Sequence, residues 1–130
     1  MELIVVVIIV GVLAAVAVFN YASTIEKTRG SEAKVNLGTL RSHELAYYRE
    51  FGSYATITDN TTPDIFSTGL PIGPGTTCIN TNYYFEYQCN AASPQACVAN
   101  RCQAGGKAPA GGAGAGNWTI YLVNGTIVGP

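Results

Sequence analysis

The sequence predicts an α+β protein, a long N-terminal helix packed on a small antiparallel β-sheet head. Three observations carry that expectation. Leu3 to Phe19 are seventeen apolar residues in a row, apolar side chains then recur at helical spacing to about Gly52, and the remainder holds short alternating runs, turn residues and all four cysteines. At 130 residues the chain has room for one compact domain, and the apolar run stands apart from its core. The expected organisation is an apolar helix over 1–21, an amphipathic continuation over 22–52, and a disulfide-bonded, β-rich head over 53–130.

Seventeen helical residues rise about 25 Å, the short end of what crosses a bilayer. As a signal peptide the run has a cleavage-like Ala15-Val16-Ala17 but lacks a basic n-region, since only Met1 and Glu2 precede it. As an anchor it has Lys27, Arg29 and Lys34 after it and nothing basic before it, against the positive-inside tendency. A basic leader ahead of Met1 resolves this, placing the leader inside and the head outside. Glu2 then has two readings: a helix N-terminal acid favoured by the macrodipole, or a carboxylate between packed helices that pairs with a neighbour's N-terminal amine.

From Phe19 to Gly52, Ala33, Leu37, Leu40, Tyr47 and Phe51 form one apolar stripe, interrupted by Glu44. Gly30 and Gly38 each cost about 1 kcal/mol relative to Ala, so packing must support this half. Joined to the apolar run, it gives a helix of about 50 residues, roughly 75 Å long: a stem, then an amphipathic half against the head.

The helix is expected to stop at Gly52, before a polar loop. In that loop Asp59, Asn60 and Asp64 offer oxygen ligands without EF-hand spacing, so no metal is expected there. YYFEYQ at 83–88 reads as a strand, and a middle strand falls around Cys97 to Cys102. The segment 118–128, WTIYLVNGTIV, puts Trp118, Ile120 and Leu122 on one face and has an Asn124-Gly125 turn suited to a hairpin. The six glycines of 103–117 predict an exposed flexible loop. A sheet of three or four antiparallel strands follows.

Cys78, Cys89, Cys97 and Cys102 are separated by ten, seven and four residues, with the sole histidine, His43, far away in sequence. This favours disulfides over zinc, which wants closer pairs or histidines, and places the head outside a reducing cytosol. Of three possible pairings, the sequential one (78 with 89, 97 with 102) and the nested one (78 with 102, 89 with 97) fit a meander better than the interleaved one.

Seven basic and eight acidic residues leave the chain near neutrality, which excludes polyanion binding by bulk charge. Lys27, Arg29, Lys34 and Arg41 are interspersed with acids, so pairing between subunits is the expected role and nucleic acid is not an expected partner. Catalysis is not expected: His43 stands beside Glu44 in a helix without a nucleophile partner, and no phosphate-cradling loop, haem motif or cofactor site is present. Aromatic residues at 19, 21, 47, 48, 51 and 54 invite electron conduction, but rings at helical spacing serve packing first. The sequons at Asn60, Asn117 and Asn124 license no glycan.

ELIVVVIIVGVLAAVAVFNY, followed by EKTRGSEAKVNLGTLRSHELAYYREFGSYAT, resembles the N-terminal half of bacterial type IV pilins and their pseudopilin relatives. The likeness covers about positions 1 to 56 and implies the type IV pilin fold. It also implies processing by a prepilin peptidase, methylation of the new N-terminus, storage in the inner membrane, and assembly by a membrane platform and a cytoplasmic ATPase. In that family the mature chain commonly reads Phe-Thr-Leu-x-Glu, so Met1 falls at x, Glu2 takes the place of the assembly glutamate, and three mature residues are expected to precede Met1. Gly11 and Tyr21 also fall where the family has them. Many members carry proline where this chain has Phe19, and in their filaments the stretch before it is often unwound. Phe19 removes no helical hydrogen bond, but Gly11 and the valines still lower helix propensity, so a weakened rather than absent tendency to unwind is expected over Val12 to Val18.

The resemblance implies a structural subunit: a major pilin whose apolar helices form the core of an extracellular filament of identical copies, assembled through Glu2, Gly11, Phe19 and Tyr21. Two alternatives are a type II secretion pseudopilin forming a short periplasmic filament, and a membrane-anchored exported binding domain. Adhesion, motility, DNA uptake and conduction are not separated by the sequence.

Overall fold

A computed structural model describes residues 2–59, 69–78, 82–105, 107 and 116–130, with the side chains of 2, 18–20 and 22–23 outside that description. One helix, α1, spans Glu2–Phe51 and continues without a break through residues 12–18. Phe19 keeps the backbone N–H that a proline would remove. The chain divides into two compact units, Met1–Ser31 and Glu32–Pro130.

In the first unit the helix is supported by its own polar residues after the apolar run. Thr28 and Ser31 donate hydroxyl hydrogen bonds to the carbonyls of Thr24 and Thr28, at 3.0 and 2.6 Å. Arg29 forms an ion pair with Glu26 one turn earlier.

In the second unit the remainder of α1 ends where Gly52 adopts φ +74° and donates its N–H to the Tyr48 carbonyl at 2.8 Å. A left-handed residue after the last turn satisfies a carbonyl that the helix leaves open, and glycine takes that conformation at little cost. The sheet comprises β1 (Phe85–Asn90), β2 (Ala96–Arg101), β3 (Trp118–Tyr121) and β4 (Ile127–Val128), antiparallel in the order β1-β2-β3-β4.

Strand alternation decides the faces. Phe85, Tyr87, Cys89, Cys97, Ala99 and Ile120 point inward and join Ala33, Leu37 and Leu40 of α1, with Ile57 and Leu122, in one core. Each large apolar side chain buried there contributes about 1.5–3 kcal/mol. Two polar ties accompany it: Asn36 donates to the Tyr87 hydroxyl at 2.8 Å, and the Arg41 Nε donates to the Leu122 carbonyl at 3.1 Å.

The expected helix stripe needs one correction. Phe51 is exposed, whereas Ile57 from the segment after the helix enters the core, and Phe51 stacks on Tyr47 with ring centroids 4.4 Å apart. The β3–β4 turn is also wider than a two-residue hairpin. Leu122 is buried, and its N–H donates to the Gln95 carbonyl at 3.0 Å, so the strands rejoin only at the Tyr121–Thr126 bond. Gly125, at φ +74°, completes that loop.

Two segments lie beside β1. Ile57 exchanges both backbone hydrogen bonds with Cys89 at 2.8 Å, and the 71–73 segment brackets Tyr87 through the Pro71 carbonyl and the Gly73 N–H. Gly75 then crosses the outer face of the sheet, where its N–H donates to the buried Glu86 carboxylate at 3.0 Å. Its φ of +74°, together with Asn100 standing where a Cβ would go, leaves room only for glycine.

Candidate functional site

The residues expected to serve assembly lie along one helix rather than in one cluster. Glu2 and Tyr21 are nineteen positions apart, about 28 Å along the axis. The side chains of Glu2 and Phe19 fall outside the described residues, as do Met1, Asn60, Asp64 and most of the glycine-rich 103–117 segment. Gly11 has nothing within 4 Å of where a Cβ would stand, and Tyr21 is exposed.

What surrounds Gly11 is an apolar surface on every side of the helix. From Leu3 to Val16 the large apolar side chains range from 53 to 82 % exposed. No contiguous patch of that kind belongs on a solvated monomer; lipid or other apolar surface must cover it. Among the described residues no helix is long and apolar enough to cross a membrane. In sequence the run continues through Val18 and Phe19.

All four cysteines are paired, in the nested arrangement Cys78–Cys102 and Cys89–Cys97. The inner pair bridges directly opposed positions of β1 and β2, and the outer pair fastens the segment before β1 to the residue after β2. β1, which carries the core rings Phe85 and Tyr87, and β2 are therefore tied covalently within the pair and again just beyond it.

Beside the inner disulfide lies a group whose importance the sequence understated. Glu44 is fully buried, and a carboxyl oxygen of it and the sulfurs of Cys89 and Cys97 lie within 4.8 Å of one another. The Ala55 N–H donates to Oε2 at 2.9 Å, whereas Oε1 has no partner among the described residues. Burial pushes this carboxyl up to about 7, and the Ala55 hydrogen bond offsets only part of that. With both sulfurs committed to a disulfide, the three residues offer no thiolate to a metal. The same interior holds the Tyr87 phenol above its ordinary range, chiefly through burial.

The polar and aromatic residues noted in the sequence have structural partners. Asn117 accepts the Arg101 N–H at 3.0 Å and donates to Asn100 at 3.1 Å. Asn124 accepts the Thr126 N–H at 2.9 Å. Lys34 stands 4.3 Å over the Trp118 ring. His43 is half-buried on α1, and Asp59 is exposed. Tyr48 and Tyr54 form a second ring pair, with centroids 4.8 Å apart.

Against known proteins, the chain matches no family, no curated protein and no solved structure.

Proposed function

We propose that this chain is the repeating subunit of an extracellular type IV pilus, with the type IV pilin fold. The observation that carries the reading is the apolar surface around the whole helix from Leu3 to Val16. Such a surface suits a bundle of identical helices, where van der Waals packing replaces lipid contacts. A head-to-tail repeat that does not close gives an open fibre. The inner membrane holds the subunit through residues 3–19 before assembly, and a prepilin peptidase, a membrane platform and an ATPase deliver it to the filament. The disulfide-bonded unit forms the outer wall, where two covalent ties suit an oxidising exterior.

Within this reading, Glu2 pairs with the N-terminal amine of an adjacent copy and sets register. Electron microscopy of material sheared from cells, labelled with antibody to this chain, tests the proposal. Long surface filaments are expected, and Glu2→Ala abolishes or sharply reduces them while the subunit stays in the membrane. Short filaments confined to the periplasm would favour a secretion pseudopilin, and a membrane-retained monomer without filaments would favour an anchored binding domain; either result overturns the pilus.

A further inference from the structure

The outer face of the sheet carries a groove of about 380 Å³ that none of the preceding roles uses. Its shape follows from register. Gln88, Val98 and Thr119 stand in one row across β1, β2 and β3, and Asn90, Ala96 and Tyr121 in the next. In the second row Ala96 is the small side chain between Asn90 and Tyr121, and in the first Val98 is shorter than Gln88, so the face is hollowed beside these larger neighbours. Thr56 and Thr58 flank Ile57, the partner of Cys89, and therefore extend the two rows beyond β1. Pro94, in the β1–β2 connection, is a further wall.

The chemistry of this lining is uniform. Among the described residues it contains no Lys, Arg, His, Asp or Glu. The side chains of Thr58, Gln88, Thr119 and Tyr121 make no hydrogen bond among the described residues, in contrast to Thr56 and Asn90, which accept the N–H groups of Ala91 and Ala92. Hydroxyls and a carboxamide can each both donate and accept. Tyr121, Val98 and Pro94 add apolar surface between them. Concave sites with apolar walls and a few convergent polar groups are where small ligands bind.

Three ligand classes meet this surface poorly. A nucleic acid or phosphorylated ligand needs cations, and the lining has none. An extended peptide adding to a sheet needs a free strand edge, but the floor of the groove is β2, hydrogen-bonded on both sides. An acidic or basic peptide side chain finds no opposite charge. A sugar ring offers what the lining lacks: several hydroxyls that donate and accept in the plane, and C–H faces that lie against an aromatic ring or aliphatic groups.

We propose that the groove formed by Gln88, Val98, Thr119, Tyr121 and the two threonines beside β1 is a binding site for a neutral glycan. The site belongs to the second unit alone and does not depend on filament formation.

The test is a titration of the full chain, held in a zwitterionic detergent free of sugar, with neutral tetrasaccharides of glucose, galactose and N-acetylglucosamine. A heparin-derived tetrasaccharide serves as the acidic control, and amide chemical shifts are the readout. At least one neutral sugar is expected to bind saturably with Kd below about 10 mM. Its shifts should centre on Gln88, Val98, Thr119 and Tyr121 and be insensitive to salt. Tyr121→Ala is expected to weaken binding about tenfold or more. Thr119→Val, which keeps shape and removes one hydroxyl, should weaken it less while leaving the melting temperature in place. Absence of saturable binding by all three neutral sugars overturns the proposal. So does binding that survives both substitutions, or binding of the acidic sugar alone.

Discussion

Glu44 ties the folding of the second unit to pH. In the unfolded chain its carboxyl titrates at the ordinary value of 4.5, and in the folded chain burial raises it to about 7. Below 4.5 both states hold the proton and the folded state has its full advantage. Between the two values the folded state binds more protons than the unfolded one, so stability falls as pH rises and levels off above the folded value. The loss is at most about 3 kcal/mol. Denaturant unfolding at a series of pH values is expected to show this decline, and Glu44→Gln to remove it. The amide keeps an acceptor for the Ala55 N–H but has no charge to bury, so at about pH 8 the variant should be at least as stable as the parent. In the sequence Glu44 is visible as a polar residue on an apolar stripe. Its position against a disulfide is not, because that depends on β1, some forty residues later.

At the scale of elements, the disulfides make separable contributions. Cys78–Cys102 closes a loop with a sequence separation of 24 and Cys89–Cys97 one of 8. On the chain-entropy account these are worth about 3.5 and about 2.5 kcal/mol respectively. Replacing each pair by alanines and measuring denaturant midpoints should therefore show the outer pair costing more. Loss of the outer pair should also speed hydrogen exchange at the end of β2, where the Cys102 N–H donates to the Tyr84 carbonyl.

Elements were legible in the sequence where local pattern decides them. The alternation of Trp118, Ile120 and Leu122, the aromatic strand near 85 and the stop at Gly52 all rest on nearest-neighbour chemistry. The nested disulfides and the groove depend on which residues of different strands stand opposite one another. No property of Gln88 or Thr119 alone reports that they share a row. The Asn124-Gly125 pair marked the turn, but the burial of Leu122, three residues before Gly125, set its width.

For the whole molecule, Gly11 separates folding from the proposed assembly. A Cβ there meets nothing within 4 Å in the isolated chain. Gly11→Leu is therefore expected to leave the unfolding midpoint of the second unit unchanged, and glycine's entropic cost in a helix means helicity should not fall. In a bundle of close-packed helices small residues set the approach distance, so the same variant should reduce filament yield in sheared material. Equal filament yield from Gly11→Leu would count against close packing at that position.

The bridges that Ile57 and Ile72 make to β1 have a consequence for copies held close together. An open strand edge is a template for pairing with another chain, and a sheet displayed at high local concentration is exposed to that hazard. Here the outer side of β1 is occupied by its own chain at Tyr87 and Cys89, while β4 at the opposite side is two residues long. Among the described residues, neither border offers a length of backbone on which a neighbour's strand can grow. Crowded copies of this unit must therefore meet through side chains rather than by extending one another's sheets, so they can be dense without fusing.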